Sequence, residues 1–480
     1  MTDTCNHVII YILRFNLDLP DLPDEIMKIF IETFGCTANK ADSDEIAARA
    51  LSHGHTLSIA KDANVAIINS CGVKDAVEKK VIHRTRELLS RGIRVILCGC
   101  LPYIAEREMT KLENEGAEIV GLDKRKLDEI LIALVRDEKQ EKGEGQRSEE
   151  QRGRKGGSTD DGQLFQNVDI QNVGIVSRVF SSPIARVPLC SGCLSQCTFC
   201  ATKLARGNIK SNDSADIIRW VEEAVCRGAK EIQLTGQDLG CYGIDNGSSL
   251  RTIVHAIEEL EGDFKVRLGM FNPNYMNRFP REIFTSNKFY HFVHMPIQSG
   301  NDDVLRDMRR GYSAGKVIDF IHDLRDEFGN DNVTFWTDMI VGFPTEDDAA
   351  FKDSLEFVSN ARPDVVNISR FWPRPKTEAA KLKQLPVAIV KKRTAEMTKQ
   401  CKYVAVMRNR AHIGQTERVI VLEDGKKGTL KGRNESYKQV VIHNPVSRFK
   451  PIRIGETITV RILSASHTSL ISSSIESTSL

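Results

Sequence analysis

Eight of the twelve cysteines are grouped where thiolates could act together, and thiolate is the ligand of iron–sulfur clusters and of structural zinc. The tightest group is Cys190-Ser-Gly-Cys193-Leu-Ser-Gln-Cys197-Thr-Phe-Cys200, which follows the apolar stretch Ile184 to Leu189 and precedes the basic stretch Lys203 to Lys210. Three thiolates spaced C-x3-C-x2-C can wrap one cubane on three corners and leave its fourth iron open, as a catalytic cluster requires. With Cys190 included the run becomes C-x2-C-x3-C-x2-C, for which a four-thiolate zinc site and a complete ferredoxin-type ligand set are the alternatives. Zinc sites usually separate their two C-x2-C pairs by about 12 to 20 residues. Here only three residues intervene, which counts against zinc.

The other arrangement is dispersed. Cys36, Cys71 and Cys100 each come just after an apolar run that reads as a strand: Ile29 to Thr33, Val65 to Asn69 and Arg94 to Leu97. Strand ends of an open parallel sheet converge on one crevice, so three thiols far apart in sequence can meet as a second three-cysteine cluster site. The alternative is three small buried residues at strand ends. Cys98 neighbours Cys100, and strand alternation alone would put both on one side. Cys98 extends the apolar run Val95-Ile-Leu, whereas Gly99 and Pro102 place Cys100 in a turn. Gly99-Cys100 also repeats Gly35-Cys36, a glycine that lets the backbone approach something bulky, so Cys100 is the expected ligand. Cys5, Cys226, Cys241 and Cys401 stand alone and read as spectator thiols.

The elements that must position these cysteines alternate between strands and amphipathic helices. From Lys28 the pattern gives the three strands above and Glu118 to Gly121, with helices at Ala41 to Leu51, Lys74 to Ser90 and near Ala105 to Leu112. This is a parallel α/β domain, expected over residues 28–135 behind an irregular lead-in, 1–27, in which Met27 is a second candidate start. Residues 136–175 are charged and almost without apolar side chains, and read as a flexible linker. Over 176–410 alternation resumes, with strands at Ile184 to Leu189, Glu231 to Thr235, Lys265 to Met270, Phe292 to Met295, Val333 to Val341 and Asp364 to Phe371. About six such β/α units make a partial barrel. Over 411–480 short strands between Asp-Gly and Asn-containing turns (Val419 to Leu422, Gly428 to Lys431, Gln439 to His443, Thr457 to Leu463) read as a small β-barrel.

Composition limits what these domains can do. A formal net charge of +2 over 480 residues names no partner, so nucleic-acid binding would have to come from local basic patches. The longest early apolar run, Val8 to Leu13, falls far short of the ~20 residues of a membrane span. Many cysteines in a large chain without a signal peptide point to metal or redox chemistry and not to disulfides, and the chain reads as cytoplasmic with no membrane partner.

The central run Cys193-x3-Cys197-x2-Cys200 resembles the radical-SAM motif, whose open iron chelates S-adenosylmethionine for one-electron cleavage; the resemblance puts Cys190 outside the ligand set and implies a partial (β/α)6 barrel. Glu32-Thr-Phe-Gly-Cys36-Thr-Ala-Asn-Lys-Ala-Asp-Ser, Asn69-Ser-Cys71-Gly-Val-Lys74 and Gly99-Cys100-Leu-Pro resemble the three cluster motifs of the methylthiotransferase family. Four further stretches resemble its archaeal and eukaryotic branch, which acts on N6-threonylcarbamoyladenosine in tRNA. They are Leu234-Thr-Gly-Gln-Asp238-Leu-Gly-Cys-Tyr-Gly243, Arg267-Leu-Gly-Met-Phe-Asn-Pro273, Met295-Pro-Ile-Gln-Ser299 and Phe371-Trp-Pro-Arg-Pro-Lys-Thr377. The tail resembles a TRAM domain, an RNA-binding barrel.

The resemblance implies catalytic and metal-binding roles for Cys36, Cys71, Cys100, Cys193, Cys197 and Cys200, two 4Fe-4S clusters, and S-adenosylmethionine as both methyl donor and radical source. It further implies a tRNA substrate, an electron donor such as flavodoxin or ferredoxin, and a sulfur donor. Gln237 and Asp238 end a barrel strand and could bond the methionine end of the cofactor, with Gln298, Ser299 and Asp338 near its ribose or adenine; for each, a scaffold role is the alternative. Arg309, Arg310, Arg374 and Lys376 are candidate phosphate contacts, against a merely solvated face, and Lys426, Lys427, Lys431 and Arg433 form a basic strip in the tail. The rival readings are the same chemistry on N6-isopentenyladenosine or on a ribosomal-protein aspartate, and a non-catalytic RNA-binding iron–sulfur protein.

Overall fold

The computed structural model describes residues 27–73, 75–145, 183–443, 446–447 and 450–473. The expected lead-in, apart from Met27, lies outside the described residues, as do Cys5 and residues 146–175 of the expected linker. The described residues form two compact units, one from Met27 to Gly145 apart from Val73 and Asp75, the other from Pro183 onward.

The first unit is a parallel sheet between helices: β1 (Lys28–Phe34), α1 (Thr37–Ser52), β2 (Thr56–Leu57), β3 (Val65–Ser70), α2 (Asp75–Ser90), β4 (Arg94–Gly99), α3 (Glu106–Asn114), β5 (Glu118–Gly121) and α4 (Lys124–Gly145). Strand order is β2-β1-β3-β4-β5, with every pairing parallel. Strand β3 is buried at all six positions because helices cover both faces, so its sequence runs apolar without alternation. Helix α4 was not anticipated and continues ten residues past 135, where a linker was expected. Its polar stretch, Asp137 to Glu144, is rich in Glu, Lys and Gln, which favour helix without needing burial.

The second unit begins with β6 (Ile184–Pro188), β7 (Cys190–Ser191), α5 (Thr202–Arg206), β8 (Lys210–Ser211), α6 (Ser214–Cys226), β9 (Glu231–Thr235), α7 (Leu250–Glu258) and β10 (Lys265–Arg267). It continues through β11 (Phe292–His294), α8 (Asp302–Asp307), α9 (Ala314–Phe328), β12 (Thr334–Val341), α10 (Asp348–Ala361), β13 (Val365–Arg370) and the long α11 (Val387–Arg410). Parallel triplets β6-β9-β10 and β11-β12-β13 are joined by the Val266–Phe289 bridge and by Phe271 N donating to His294 O, giving six parallel strands in a partial (β/α)6 barrel. The core lies between these strands and their helices, with Val187, Ile232, Val266, Val293, Phe335 and Ile321 fully enclosed.

The tail comprises β14 (Thr416–Asp424), β15 (Leu430–Asn434), β16 (Gln439–His443), β17 (Val446–Ser447), β18 (Lys450–Pro451), β19 (Thr457–Ala465) and β20 (Leu470–Ser473). Five of these close as β14-β15-β16-β20-β19 around Val419, Val421, Val440, Ile442, Val460 and Ile462. Strand β20 was missed because only Leu470 and Ile471 stand among serines and threonines there. Among the described residues no helix is long and apolar enough to cross a membrane.

Candidate functional site

The central cysteine run leaves β6 at its C-terminal end, where barrel chemistry is built, and several bonds fix its path. The pairing of β7 with β8 holds its start. Gly192 sits at φ 78°, where a Cβ would lie 2.0 Å from Asn208 O, and its N–H donates to Gln237 Oε1 at 2.7 Å. Thr198 donates from its amide to Met308 O (3.2 Å) and from its hydroxyl to Asp307 O (2.9 Å), tying the loop to α8.

Cys193, Cys197 and Cys200 line one cavity of about 150 Å³ together with Gln237, Asp238, Met270, Asn272, Gln298 and Arg310. Ser195 N–H donates to Cys193 Sγ at 3.2 Å, and Arg310 Nη1 donates to Cys197 Sγ at 3.2 Å. Cys193 is held below its ordinary thiol pKa, first by Cys241 and then by Ser195, against burial; burial raises Cys200. Cys190 points away, toward Asp238 O at 3.6 Å, and burial pushes its thiol up to about 12, the behaviour of an inert buried thiol. Cys241, expected to be a spectator, is fully buried with its thiol 3.2 Å from Asp238 O and acting on Cys193; nothing in its sequence spacing announced this.

Asp238 is the polar centre of the wall. Its Oδ1 accepts from Gly240 N (2.9 Å) and Asn272 N (3.0 Å), while Oδ2 is buried without a partner in the protein. Burial, opposed by the Asn272 amide, raises its pKa to about 6. A buried carboxylate oxygen without a donor is costly, and a ligand amino group would satisfy it. Gln298 is held in the left-handed region, φ 74°, with Gln298 N donating to Asp338 O and Ile340 N to Gln298 O. Strain of this kind persists where surrounding structure enforces it, often at ligand sites.

The remaining expected contacts are placed elsewhere. Ser299 is buried, with its hydroxyl at Ser354 Oγ and Asn301 N, and does not line the cavity. The Asp338 side chain pairs with His294 Nε2 at 2.7 Å. Arg310 is a wall residue of the cavity and not a surface cation, because Tyr312 and Pro296 draw its side chain inward. Arg374 is buried, while Arg309 and Lys376 are exposed, both at positive φ. In the tail Lys426 and Lys427 are exposed on the turn between β14 and β15, and Lys431 faces Glu423 at 3.7 Å. Arg433 instead lies over the Tyr437 ring, 4.7 Å from its centroid, so the strip presents fewer free cations than its sequence suggests.

In the first unit Cys36, Cys71 and Cys100 follow the C-terminal ends of β1, β3 and β4, adjacent strands spaced ~4.8 Å apart. Behind them Asn69 donates to Asn39 O (2.7 Å) and Ser43 Oγ (2.9 Å), and Asn39 Oδ1 accepts from Cys36 Sγ at 3.4 Å. Gly99, at φ 93°, would place a Cβ 2.3 Å from Ser70 O, and at Gly35 a Cβ would meet Asn39 at 2.5 Å. Cys98 is enclosed among Ile67, Ile96 and Leu127, and burial raises its thiol to about 12. Among the described residues no three His, Cys, Asp or Glu side chains converge on the point of a single ion. A cubane makes a different demand, three thiolates spread around a space of its own size; Cys193, Cys197 and Cys200 line one cavity.

A partial (β/α)6 barrel whose first strand ends in a three-thiol loop lining a cavity with Asp238 is the layout that the resemblance to radical S-adenosylmethionine enzymes implies. Accordingly, residues 187–358 match the Radical SAM superfamily, residues 28–121 the Uncharacterized protein family UPF0004, and residues 410–474 the TRAM domain. The probable threonylcarbamoyladenosine tRNA methylthiotransferase of Pyrococcus abyssi is 37% identical over 437 residues, covering 90% of this chain and 96% of the relative. That of Archaeoglobus fulgidus is 37% identical over 434 residues, with 90% and 96% coverage. The human threonylcarbamoyladenosine tRNA methylthiotransferase is 29% identical over 441 residues, covering 89% of this chain and 72% of the relative. The chain belongs to the threonylcarbamoyladenosine tRNA methylthiotransferase family.

Proposed function

We propose that this chain replaces the C2 hydrogen of N6-threonylcarbamoyladenosine in tRNA with a methylthio group, using two 4Fe-4S clusters, one on Cys193, Cys197 and Cys200 and one on Cys36, Cys71 and Cys100. The observation that carries the reading is the cavity that the three central cysteines line together with Asp238, whose Oδ2 is buried without a partner in the protein, in a chain that aligns with a relative across 90% of its length. When bound, the clusters and S-adenosylmethionine supply a carbon-centred radical, a methyl group and a sulfur to receive it.

The protein's own contribution is placement and exclusion of water. Gln237 pins the cysteine loop through Gly192, Asp238 offers its free oxygen to an amino group, and Gln298 is thrust into the cavity by its backbone. An electron donor and a sulfur donor are required, and a tRNA substrate fits a cytoplasmic enzyme.

Mass spectrometry of tRNA nucleosides from cells with and without the chain tests the reading. The methylthio form of N6-threonylcarbamoyladenosine should vanish in its absence. A loss confined to the isopentenyladenosine product, or a methylthioaspartate in a ribosomal protein, would assign the chemistry to another target.

For the third ligand of the N-terminal cluster, Cys98→Ser should keep both clusters and the activity, at a stability cost of about 1–3 kcal/mol for the buried hydroxyl. Cys100→Ser should lose iron. The reverse pattern in iron analysis would transfer the role to Cys98.

If the tail grips phosphates, replacing Lys426 and Lys427 by Ala should weaken tRNA binding and flatten its salt dependence by up to ~0.7–0.9 in log-log slope per lost contact. Arg433→Ala should instead lower stability, since its guanidinium is packed on Tyr437. An undiminished slope in the double lysine variant would move the RNA surface elsewhere.

A further inference from the structure

Each of two central cysteine sulfurs receives an N–H donor, and the donors differ in charge. Cys193 has the neutral Ser195 amide; Cys197 has the guanidinium of Arg310. Arg310 is held by all of its nitrogens: Nε donates to Tyr312 Oη at 2.6 Å, Nη2 to Pro296 O at 2.9 Å and Nη1 to Cys197 Sγ at 3.2 Å. Tyr312 is itself fixed, donating from its hydroxyl to Ile297 O at 2.8 Å, and its ring centroid lies 5.0 Å from the guanidinium carbon. Among the described residues no carboxylate lies within ion-pair distance of Arg310.

The guanidinium shares its cavity with the Asp238 carboxylate, on which its charge acts, but its direct N–H bond goes to Cys197 Sγ. The Cys197 thiol of this structure stands for the thiolate of the loaded protein, and a cluster held by three thiolates is anionic. We propose that Arg310 is a positioning residue whose charged N–H to Cys197 stabilises the reduced form of the cluster and so raises its reduction potential. This rests on the assignment of that cluster to Cys193, Cys197 and Cys200.

The physical reason is differential. When one electron enters from an external low-potential donor, the cluster gains negative charge, and a fixed cation in a low-dielectric wall favours that state more than the oxidised one. Because the fork is clamped at Tyr312 and Pro296, it does not reorganise when the electron arrives.

The test is an EPR-monitored potentiometric titration of the reconstituted full chain with dithionite, following the signal that changes on adding S-adenosylmethionine, with iron counted in each sample. Arg310→Met should keep its iron and titrate at a lower potential than the wild type; an unshifted potential overturns the proposal. Should Arg310→Met lose its iron, Arg310→Gln, which keeps an N–H without charge, decides in the same way. Loss of iron from both neutral variants but not from Arg310→Lys supports a charge role, and loss from all three overturns it in favour of shape. A wild type whose signal survives loss of Cys193, Cys197 and Cys200 would fail the cluster assignment, which is a separate result.

Discussion

Anaerobically reconstituted full chain should hold about eight irons, and changing Cys193, Cys197 and Cys200 together to Ala should leave about four, as two separate cubanes require. Reductive cleavage of S-adenosylmethionine by that variant should fall to background, the largest catalytic effect any substitution here should have. The geometry gives the reason: the three thiols share one cavity with Asp238, whereas Cys190 is turned away behind Gly236, where even a Cβ would sit 2.7 Å from its sulfur. Cys190→Ala should therefore retain its iron. If radical formation belongs to the central cluster and sulfur transfer to the N-terminal one, the companion variant, Cys36, Cys71 and Cys100 to Ala on a different sheet, should still form 5'-deoxyadenosine and make no methylthio product. An iron count unchanged by the central triple substitution sinks the assignment, and cleavage lost equally in both variants sinks the division of labour.

The central run was legible because thiolate spacing is a local property: C-x3-C-x2-C at the end of an apolar strand needs no tertiary information to be read. The placement of Cys36, Cys71 and Cys100 was legible for a related reason, since parallel strands place their C-terminal ends side by side and glycine precedes two of the three, Gly35 before Cys36 and Gly99 before Cys100. Residues whose meaning depends on a distant partner were not. Arg310 stands in a run with Arg309 that reads as surface charge, and only Tyr312 and Pro296 reveal that one arginine turns inward while its neighbour stays exposed. Ser299 adjoins Gln298, but the left-handed backbone at Gln298 separates them, sending one to the cavity and the other to Ser354. The strand pattern of the tail was read from alternation, and it missed β20, whose pairing with β16 and β19 closes the barrel.

Least legible of all was Asp364, and its replacement should have the largest effect on stability. It reads in sequence as the start of a strand; in the fold its buried carboxylate is ringed by three cations. Oδ1 accepts from Lys438 Nζ at 2.6 Å and Arg408 Nε at 3.0 Å, and Oδ2 lies 3.5 Å from Arg325 Nη2. These come from the β15–β16 turn, α11 and α9, so one carboxylate joins the small barrel to the large one. Beside it Tyr437 packs on Tyr290, Phe292 and Trp336, with centroids 4.8, 4.7 and 5.7 Å away. Burial alone would raise the Asp364 pKa, but Lys438, Arg408 and Arg325 hold it well below the carboxylate range, while burial pushes Arg325 down to about 10. Removing Asp364 leaves Lys438 and Arg325 without an ion-pair partner among the described residues and Arg408 with only the Asp331 carboxylate at 3.4 Å, so Asp364→Ala should cost at least the ~3–5 kcal/mol of a broken buried pair. The sign with pH follows from the depressed pKa: the unfolded chain binds the proton first, so the contribution is complete above the unfolded value of ~4 and is lost as pH falls through the folded one. Urea unfolding of wild type and Asp364→Ala from pH 7 to pH 3 should therefore show a gap that is constant above about pH 4 and begins to narrow below it. Limited proteolysis of the variant at neutral pH should open the junction between α11 and β14. A variant that unfolds at the wild-type midpoint, or a gap that stays constant over the whole pH range, would show that this carboxylate does not hold the two barrels together.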